Sequence, residues 1–291
     1  MTMILPVSVI IPTFNRAHTI KRALDSVYSQ SMQPNEVIVV DDGSMDNTAT
    51  LIEKHYPNVR YLYQANTGVS HSRNRGTLLA QSEWVAFLDS DDSWHKKKLE
   101  FQYNRLLQDD AVINHTDEIW LMNNRRINPH KKHQKAGGYL FNRALELCLI
   151  SPSSVIIKRD FLIDIGLFNP DLPACEDYDL WLRITCQHNV SFVDQALTYK
   201  HGGHADQLSK AHWGMDRFRI ISLTNLIKSN RLTPEQEENA TRILLRKSQI
   251  LLNGAKKRGG ETQRDQLKGW ILSLPLSQST REQLSTLPAW Y

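Results

Sequence analysis

The sequence predicts an α/β fold: a mainly parallel central sheet flanked by helices, followed by a helical C-terminal extension. Three observations predict it. Short apolar, largely β-branched runs alternate with segments of helical periodicity. The connections between them are short, the arrangement that gives a parallel sheet covered on both faces. From about Ser209 onward strand-like runs stop and amphipathic helical pattern takes over.

Val7 to Ile11 reads as a buried strand ending at Pro12, and Ile20 to Tyr28 as a helix. Val37 to Val40 is a second strand, running into Asp41-Asp42-Gly43-Ser44. Asp46 or Asn47 is the candidate cap of a helix through Lys54. Pro57-Asn58 breaks the chain before a strand at Val59 to Tyr63. Ser70 to Ala80 is helical, Trp84 to Leu88 is a fourth strand, and Lys97 to Leu107 another helix. Asn123 to Gly138 is polar, basic and glycine-containing, and reads as a mobile loop. Ser151 to Ile157 and Phe192 to Tyr199 resume strands around a helix at Asp177 to Thr185 that turns Leu180, Trp181 and Ile184 inward. The division expected is residues 1–205 as the main domain and 206–291 as the extension, interrupted at Pro234 and Gly259-Gly260.

The 291 residues carry a net charge of +4, spread along the chain rather than gathered into the stripe expected of a nucleic-acid binder. Cys148, Cys175 and Cys186 form no C-x-x-C pair, and an odd count without a disulfide pattern fits a reducing compartment. No basic n-region precedes the N-terminal apolar run, and no apolar stretch is long enough to span a bilayer. A cytoplasmic protein with at most peripheral membrane contact is expected.

In sheets of this kind ligands bind at the carboxyl ends of the strands. Here those ends carry Thr13-Phe14-Asn15-Arg16, Asp41-Asp42 and Asp89-Ser90-Asp91-Asp92, which should converge on one cleft. Clustered carboxylates repel one another, and a hard divalent cation such as Mg²⁺ or Mn²⁺ is the obvious reason to gather them. A polar loop with a helix cap is the plainer alternative. For Asp41-Asp42 the alternatives are a carboxylate accepting from a nucleobase or sugar edge and a simple turn. Neither a G-x-G-x-x-G nor a P-loop follows the first strand, which disfavours dehydrogenases and ATPases.

Five segments in order carry a resemblance: Val9 to Asn15, Val39 to Asp46, Asn66 to Ser70 with Arg73-Asn74, Phe87 to Asp92, and Glu176 to Trp181. Together they closely resemble family 2 glycosyltransferases of the GT-A (Rossmann-like) fold, over about two-thirds of the chain. The resemblance implies an inverting glycosyltransferase that moves a sugar from a nucleotide-sugar donor, UDP-linked by preference, to an acceptor hydroxyl. The acceptor would be a saccharide or lipid-linked saccharide, in cell-surface polysaccharide or glycoconjugate synthesis. It implies that Pro12, Thr13, Asn15, Asp42, Arg73 and Ser90 line the nucleotide pocket, with Asp41 accepting from uracil N3–H. Asp89, Asp91 and Asp92 would hold Mn²⁺ or Mg²⁺, joined by His201 or His204, with His201 preferred. Asp177 would be the catalytic base, Glu176 and Trp181 would shape the acceptor side, and Ser153 and Ser154 would lie beside it. The rival readings are a sugar-phosphate nucleotidyltransferase, whose glycine-rich basic signature is missing near Pro12, and a non-catalytic nucleotide-sugar sensor, which the intact acidic residues disfavour. The chain departs from the family's processive synthases in having no Q-x-x-R-W segment and no membrane-spanning helices.

Two further features stand out. His130-Lys131-Lys132-His133-Gln134-Lys135 reads as a solvated loop or as a contact for an anionic acceptor. Thr241 to Leu252 mixes basic residues with an apolar face, expected to pack on the main domain, with an anionic membrane as the alternative.

Overall fold

The computed structural model describes residues 3–123, 125–128, 130–203 and 212–290. Its first part is the predicted alternation: β1 (Ile4–Thr13), α1 (Ile20–Tyr28), β2 (Gln33–Asp41), α2 (Thr48–His55), β3 (Arg60–Tyr63), α3 (Val69–Leu79) and β4 (Trp84–Phe87). β1 pairs in parallel with β2 and β4, and β2 with β3. Successive side chains serve opposite cores. Val7, Val9, Ile11, Val37 and Val39 pack with Ala23, Leu24 and Ile52 of α1 and α2. Ile10, Ile38, Val40, Val85 and Phe87 pack on the other face. Burial of both faces is why these runs show no polar alternation.

The chain continues through β5 (Ser93–Trp94), α4 (Lys98–Asp109), β6 (Ile113–Met122), β7 (Arg125–Ile127), α5 (Phe141–Glu146), β8 (Val155–Lys158), α6 (Arg159–Asp164), α7 (Glu176–Thr185) and β9 (Ser191–Gly202). The sheet order is β3-β2-β1-β4-β8-β6-β9-β5, with β7 on β6. It is parallel from β3 to β4 and mixed beyond. β8 runs antiparallel to β4 and β6, β5 to β9 and β7 to β6, while β6 and β9 are parallel. The stretch expected to be loop, 123–138, contains β7 and a 3₁₀ turn at Lys131–His133. The predicted strand at Ser151 splits into a 3₁₀ turn, Pro152–Ser154, and β8.

The C-terminal part is α8 (Asp216–Lys228), α9 (Pro234–Ser273) and α10 (Gln278–Ser285). α9 opens with a capping box, Thr233 accepting from the Gln236 backbone and Gln236 reaching back, and places Pro234 where the missing N–H costs nothing. It breaks at Gly260, whose φ of 69° is left-handed. Ile243, Leu244, Leu251 and Leu252 are buried in one core with Phe141, Leu145, Tyr178 and Leu182 of α5 and α7. Most of the apolar face expected at Thr241 to Leu252 is therefore spent on packing, while Ile250 is 54% exposed. Among the described residues no helix is long and apolar enough to cross a membrane.

Candidate active site

The strand register brings the polar ends together. Thr13 lies opposite Asp41 across β1 and β2, and Ile10 opposite Phe87 across β1 and β4. α3 packs so close to β1 that a Cβ on Gly76 would stand 2.5 Å from Ile10 Cγ2. That approach sets Arg73, one turn earlier, beside the loop leaving β4. The N-terminus of α7 supplies Glu176 and Asp177, and the end of β9 supplies Lys200 and His201. Thr13, Arg73, Glu176, Asp177, Lys200 and His201 line one cleft of about 550 Å³, together with Pro12, Arg16, Asp42 and residues 89–92.

Arg73 is 4% exposed and bridges two carboxylates, donating to Asp89 Oδ1 and Glu176 Oε1, each at 2.7 Å. Its guanidinium also lies over the Phe168 ring, 5.1 Å from the centroid. Burial raises the Asp89 pKa, but Arg73, with Lys200 behind it, outweighs that and holds the carboxyl below its ordinary value. Burial and then the Asp177 charge push Glu176 the other way, upward. Asp92 is enclosed: Oδ2 accepts from Ser153 Oγ at 2.7 Å, and Oδ1 from the His201 backbone N–H at 3.1 Å. Burial first, then the Asp89 and Asp91 charges, push it up to about 7 against the opposing Lys200, whose Nζ is 3.6 Å away. Asp91 is raised by burial and by Asp89. Among the described residues its carboxylate accepts only from its own backbone.

The predicted site residues separate into two groups. Pro12, Thr13, Asp42, Arg73, Asp89, Ser90, Asp91, Asp92, Glu176, Asp177 and His201 line the cleft. Among the described residues Thr13 Oγ1 is buried there without a hydrogen-bond partner. Asp42 holds the 67–68 turn, accepting from the Thr67 and Gly68 backbone N–H groups at 2.9 and 2.8 Å. Asp41, Asn15 and Trp181 do not line it. Asp41 is wholly buried, with Oδ1 accepting from Ser44 N–H at 2.7 Å and Oδ2 from the Tyr61 hydroxyl at 2.6 Å, so the structure makes it the brace of its own turn. Asn15 accepts from Met45 N–H at 2.8 Å, pinning the same loop from the other side. Trp181 sits in the core against Phe168. Ser153 is a scaffold for the acidic loop, accepting from Asp89 N–H at 3.1 Å while donating to Asp92. His201 reaches Ser93 Oγ with Nε2 at 3.0 Å; His204 lies outside the described residues.

Asp177 is half-buried in the second position of α7. Its Oδ1 accepts from the Tyr178 N–H at 2.7 Å. The Cys148 thiol lies beside it, and burial and the Asp177 charge together push that thiol well above its ordinary pKa. Among the contributors to the cleft that sequence reasoning missed are Lys200, Cys148, and Met215 and Arg219 from the C-terminal part. Lys200 was one residue past the predicted strand end; the others carried no local signal.

Among the described residues no three His, Cys, Asp or Glu side chains are placed to hold an ion by themselves. The donor chemistry still suits a cation shared with phosphates: Asp91 is a crowded carboxylate held raised by burial and Asp89 despite Arg16 and Lys200, and it lines the cleft two residues from Asp89.

The family model for Glycosyl transferase family 2 matches residues 8–166. An uncharacterized glycosyltransferase of Rickettsia conorii is 31% identical over 216 residues, covering 70% of this chain and 35% of that protein, so the chain spans about a third of its length. The Escherichia coli UDP-Glc:α-D-GlcNAc-diphosphoundecaprenol β-1,3-glucosyltransferase is 31% identical over 190 residues, 65% of this chain and 73% of that protein. The crystal structure of S. aureus TarS 1–349 in complex with UDP-GlcNAc superposes with a TM-score of 0.75 at 22% identity, over 97% of this chain and 84% of that one, a likeness of fold.

Proposed function

Because this chain belongs to glycosyl transferase family 2, we propose that it moves a sugar from a UDP-sugar to an acceptor hydroxyl, with inversion at the anomeric carbon. The observation that carries the reading is the shared cleft: Asp89 and Asp91 stand on one wall and Asp177 on another, with Arg73 and Glu176 between them. Family membership and the relatives' UDP-linked donors support UDP as the carrier.

Thr13, Arg16 and Asp42 bind the nucleotide, Thr13 with its unpartnered hydroxyl and Asp42 by holding the 67–68 turn against it. Asp91 and Asp89 are the residues that would hold Mn²⁺ or Mg²⁺, which when bound supplies positive charge to the diphosphate leaving group. Arg73 orients Asp89 and Glu176. Asp177 takes the proton of the attacking hydroxyl, and a single in-line displacement inverts the configuration without a covalent intermediate. Residues 1–205 carry this chemistry, and residues 206–291 add a wall of the cleft through Met215 and Arg219. The E. coli relative's printed activity supports a lipid-linked saccharide as acceptor, at the cytoplasmic face of a membrane.

Asp177→Asn is the test. Asn keeps the size and can still accept from Tyr178 N–H, so a purely local role predicts near-normal turnover. Loss of a general base predicts a rate lower by roughly 10²–10⁴ with UDP affinity retained.

A further inference from the structure

The cleft's chemistry leaves one prominent feature unused: the ribbon of β6 and β7 and the segment that follows it. From Ile119 to Leu145 the sequence carries Arg125, Arg126, Lys131, Lys132, Lys135 and Arg143, with His130 and His133, and no Asp or Glu at all. The root of this segment is fixed. Lys135 is buried against Glu118, Nζ to Oε2 3.2 Å, and Glu118 Oε2 also accepts from Trp120 Nε1 at 3.0 Å. Past this root, Arg125, Arg126, Lys131 and Lys132 are exposed.

The ribbon also carries apolar surface. Trp120 pairs with Ile127 and Met122 with Arg125, so Trp120, Met122 and Ile127 share one face, with Leu121 and Arg126 on the other. Met122 is 40% and Ile127 37% exposed. Exposed aliphatic side chains set among cations are what an anionic lipid surface takes up: the charges are drawn to the headgroups, and the apolar groups enter the interfacial layer. A nucleic acid would use the same cations but would leave Met122 and Ile127 in water. The ring best placed to stack on a base, Trp120, is already bonded to Glu118 and lies 5.4 Å from the His133 ring.

We infer that the β6–β7 ribbon docks this protein on an anionic lipid bilayer, beside the mouth of its cleft. In the β6–β9 register Trp120 lies opposite Lys200 and Leu121 opposite His201, both cleft residues. The docking face thus begins on β6, the strand next to β9, which carries the cleft residues Lys200 and His201, so an acceptor held in the bilayer would lie near the site. The inference rests on the transferase reading only for that last point.

The test is cosedimentation of the full chain with phosphatidylcholine vesicles, with and without 30% phosphatidylglycerol (about a third, a composition chosen to give a clear surface potential). Partitioning is expected onto the anionic vesicles, weakening as salt rises. Replacing Arg125, Lys131 and Lys132 by Glu should lower it by at least about 10²-fold, since each basic side chain near such a surface contributes roughly a factor of five. Met122→Glu with Ile127→Glu should also weaken it; all five side chains are exposed, and an unchanged thermal midpoint in each variant keeps folding out of the comparison. Equal binding to both vesicle types, wild-type binding by the triple variant, or binding to inorganic polyphosphate without vesicle binding would each overturn the inference. Turnover on a water-soluble acceptor without vesicle binding sinks this inference alone; vesicle binding without turnover sinks the transferase reading alone.

Discussion

Arg73→Met tests the internal logic of the site most directly. Methionine keeps an unbranched chain against Phe168 but removes the charge shared by Asp89 and Glu176. Both lost bonds are 2.7 Å long; the Arg73 and Glu176 side chains are only 4% and 6% exposed and that of Asp89 24%, so water can replace little of the guanidinium, and least at Glu176. Removing one partner of such a buried network costs about 3–5 kcal/mol. For a chain of this size that is a fall in thermal midpoint of roughly 6–20 °C. The pH dependence carries the sign. In the wild type Asp89 titrates below its ordinary value, so its contribution is present above that value and is lost as pH falls through the depressed one. Without Arg73 both carboxyls titrate upward and take protons more readily. The variant's deficit should therefore be largest near neutral pH and shrink toward pH about 4, where protonation relieves the stranded charges. Adding Glu176→Gln should recover part of it. Scanning calorimetry of the three proteins from neutral to acid pH measures this, and a deficit that is absent, or equal at both ends, refutes the reasoning.

Three further outcomes are expected. Asp41→Asn should lower stability yet leave the preference for UDP over CDP intact, whereas Asp42→Ala should weaken UDP binding by about tenfold or more by releasing the Thr67 and Gly68 N–H groups; calorimetric titration decides, and a preference that collapses in Asp41→Asn returns base reading to Asp41. Mn²⁺ should raise the thermal midpoint appreciably only when UDP is present, because the described residues alone offer too few ligands, and Asp91→Asn should remove that synergy; an equal shift without UDP would show a site complete in itself. His115 is buried with its pKa lowered from 6.5 to about 4, by burial first and then Lys135, so between those values the unfolded chain takes up a proton that the fold refuses. Stability should fall by up to about 3 kcal/mol as pH drops through that window, and His115→Gln should flatten this part of the curve in urea titrations.

How much of this was legible depended on sequence distance. α1 spans the residues its periodicity marked, Ile20–Tyr28, because its apolar stripe is local information. The strands of the parallel half were visible as apolar runs because both faces are buried. β5 and β7, two and three residues long, are too short to show any period. The family resemblance gave the base to Asp41 and only a place in the pocket to Asp42. Which of them faces the cleft follows from the pleat and from Tyr61, a residue on another strand that claims Asp41. Arg73 was expected against the nucleotide; that it spans to Glu176, 103 residues away, is set by the approach of α3 to β1 and by the α7 N-terminus together. The C-terminal contribution of Met215 and Arg219 is likewise tertiary.

The place where the sheet changes character explains why these distant residues meet. From β3 to β4 all strands run one way, so their carboxyl ends deliver Thr13, Asp42 and Asp89 to the same edge. β8 runs the other way beside β4, so it is entered from that edge, and the turn before it, Pro152–Ser154, is laid against the acidic loop. Ser153 accepts from Asp89 N–H, donates to Asp92, and through its carbonyl accepts from Trp94 Nε1 at 2.7 Å. A crevice at such a reversal is where open α/β sheets bind ligands. On the reading proposed above the reversal also fixes the division of labour: the parallel half would present the donor side, and the chain that follows β8 returns through α7 to present Asp177 opposite it. Arg73 crosses the seam. A substitution that loosens the seam without touching either half, such as Ser153→Ala, should therefore impair turnover more than UDP binding, because it disturbs the relation between Asp89 and the α7 carboxylates rather than the nucleotide pocket. Equal losses in both, measured by steady-state kinetics and calorimetric titration, would place Ser153 in the donor site instead.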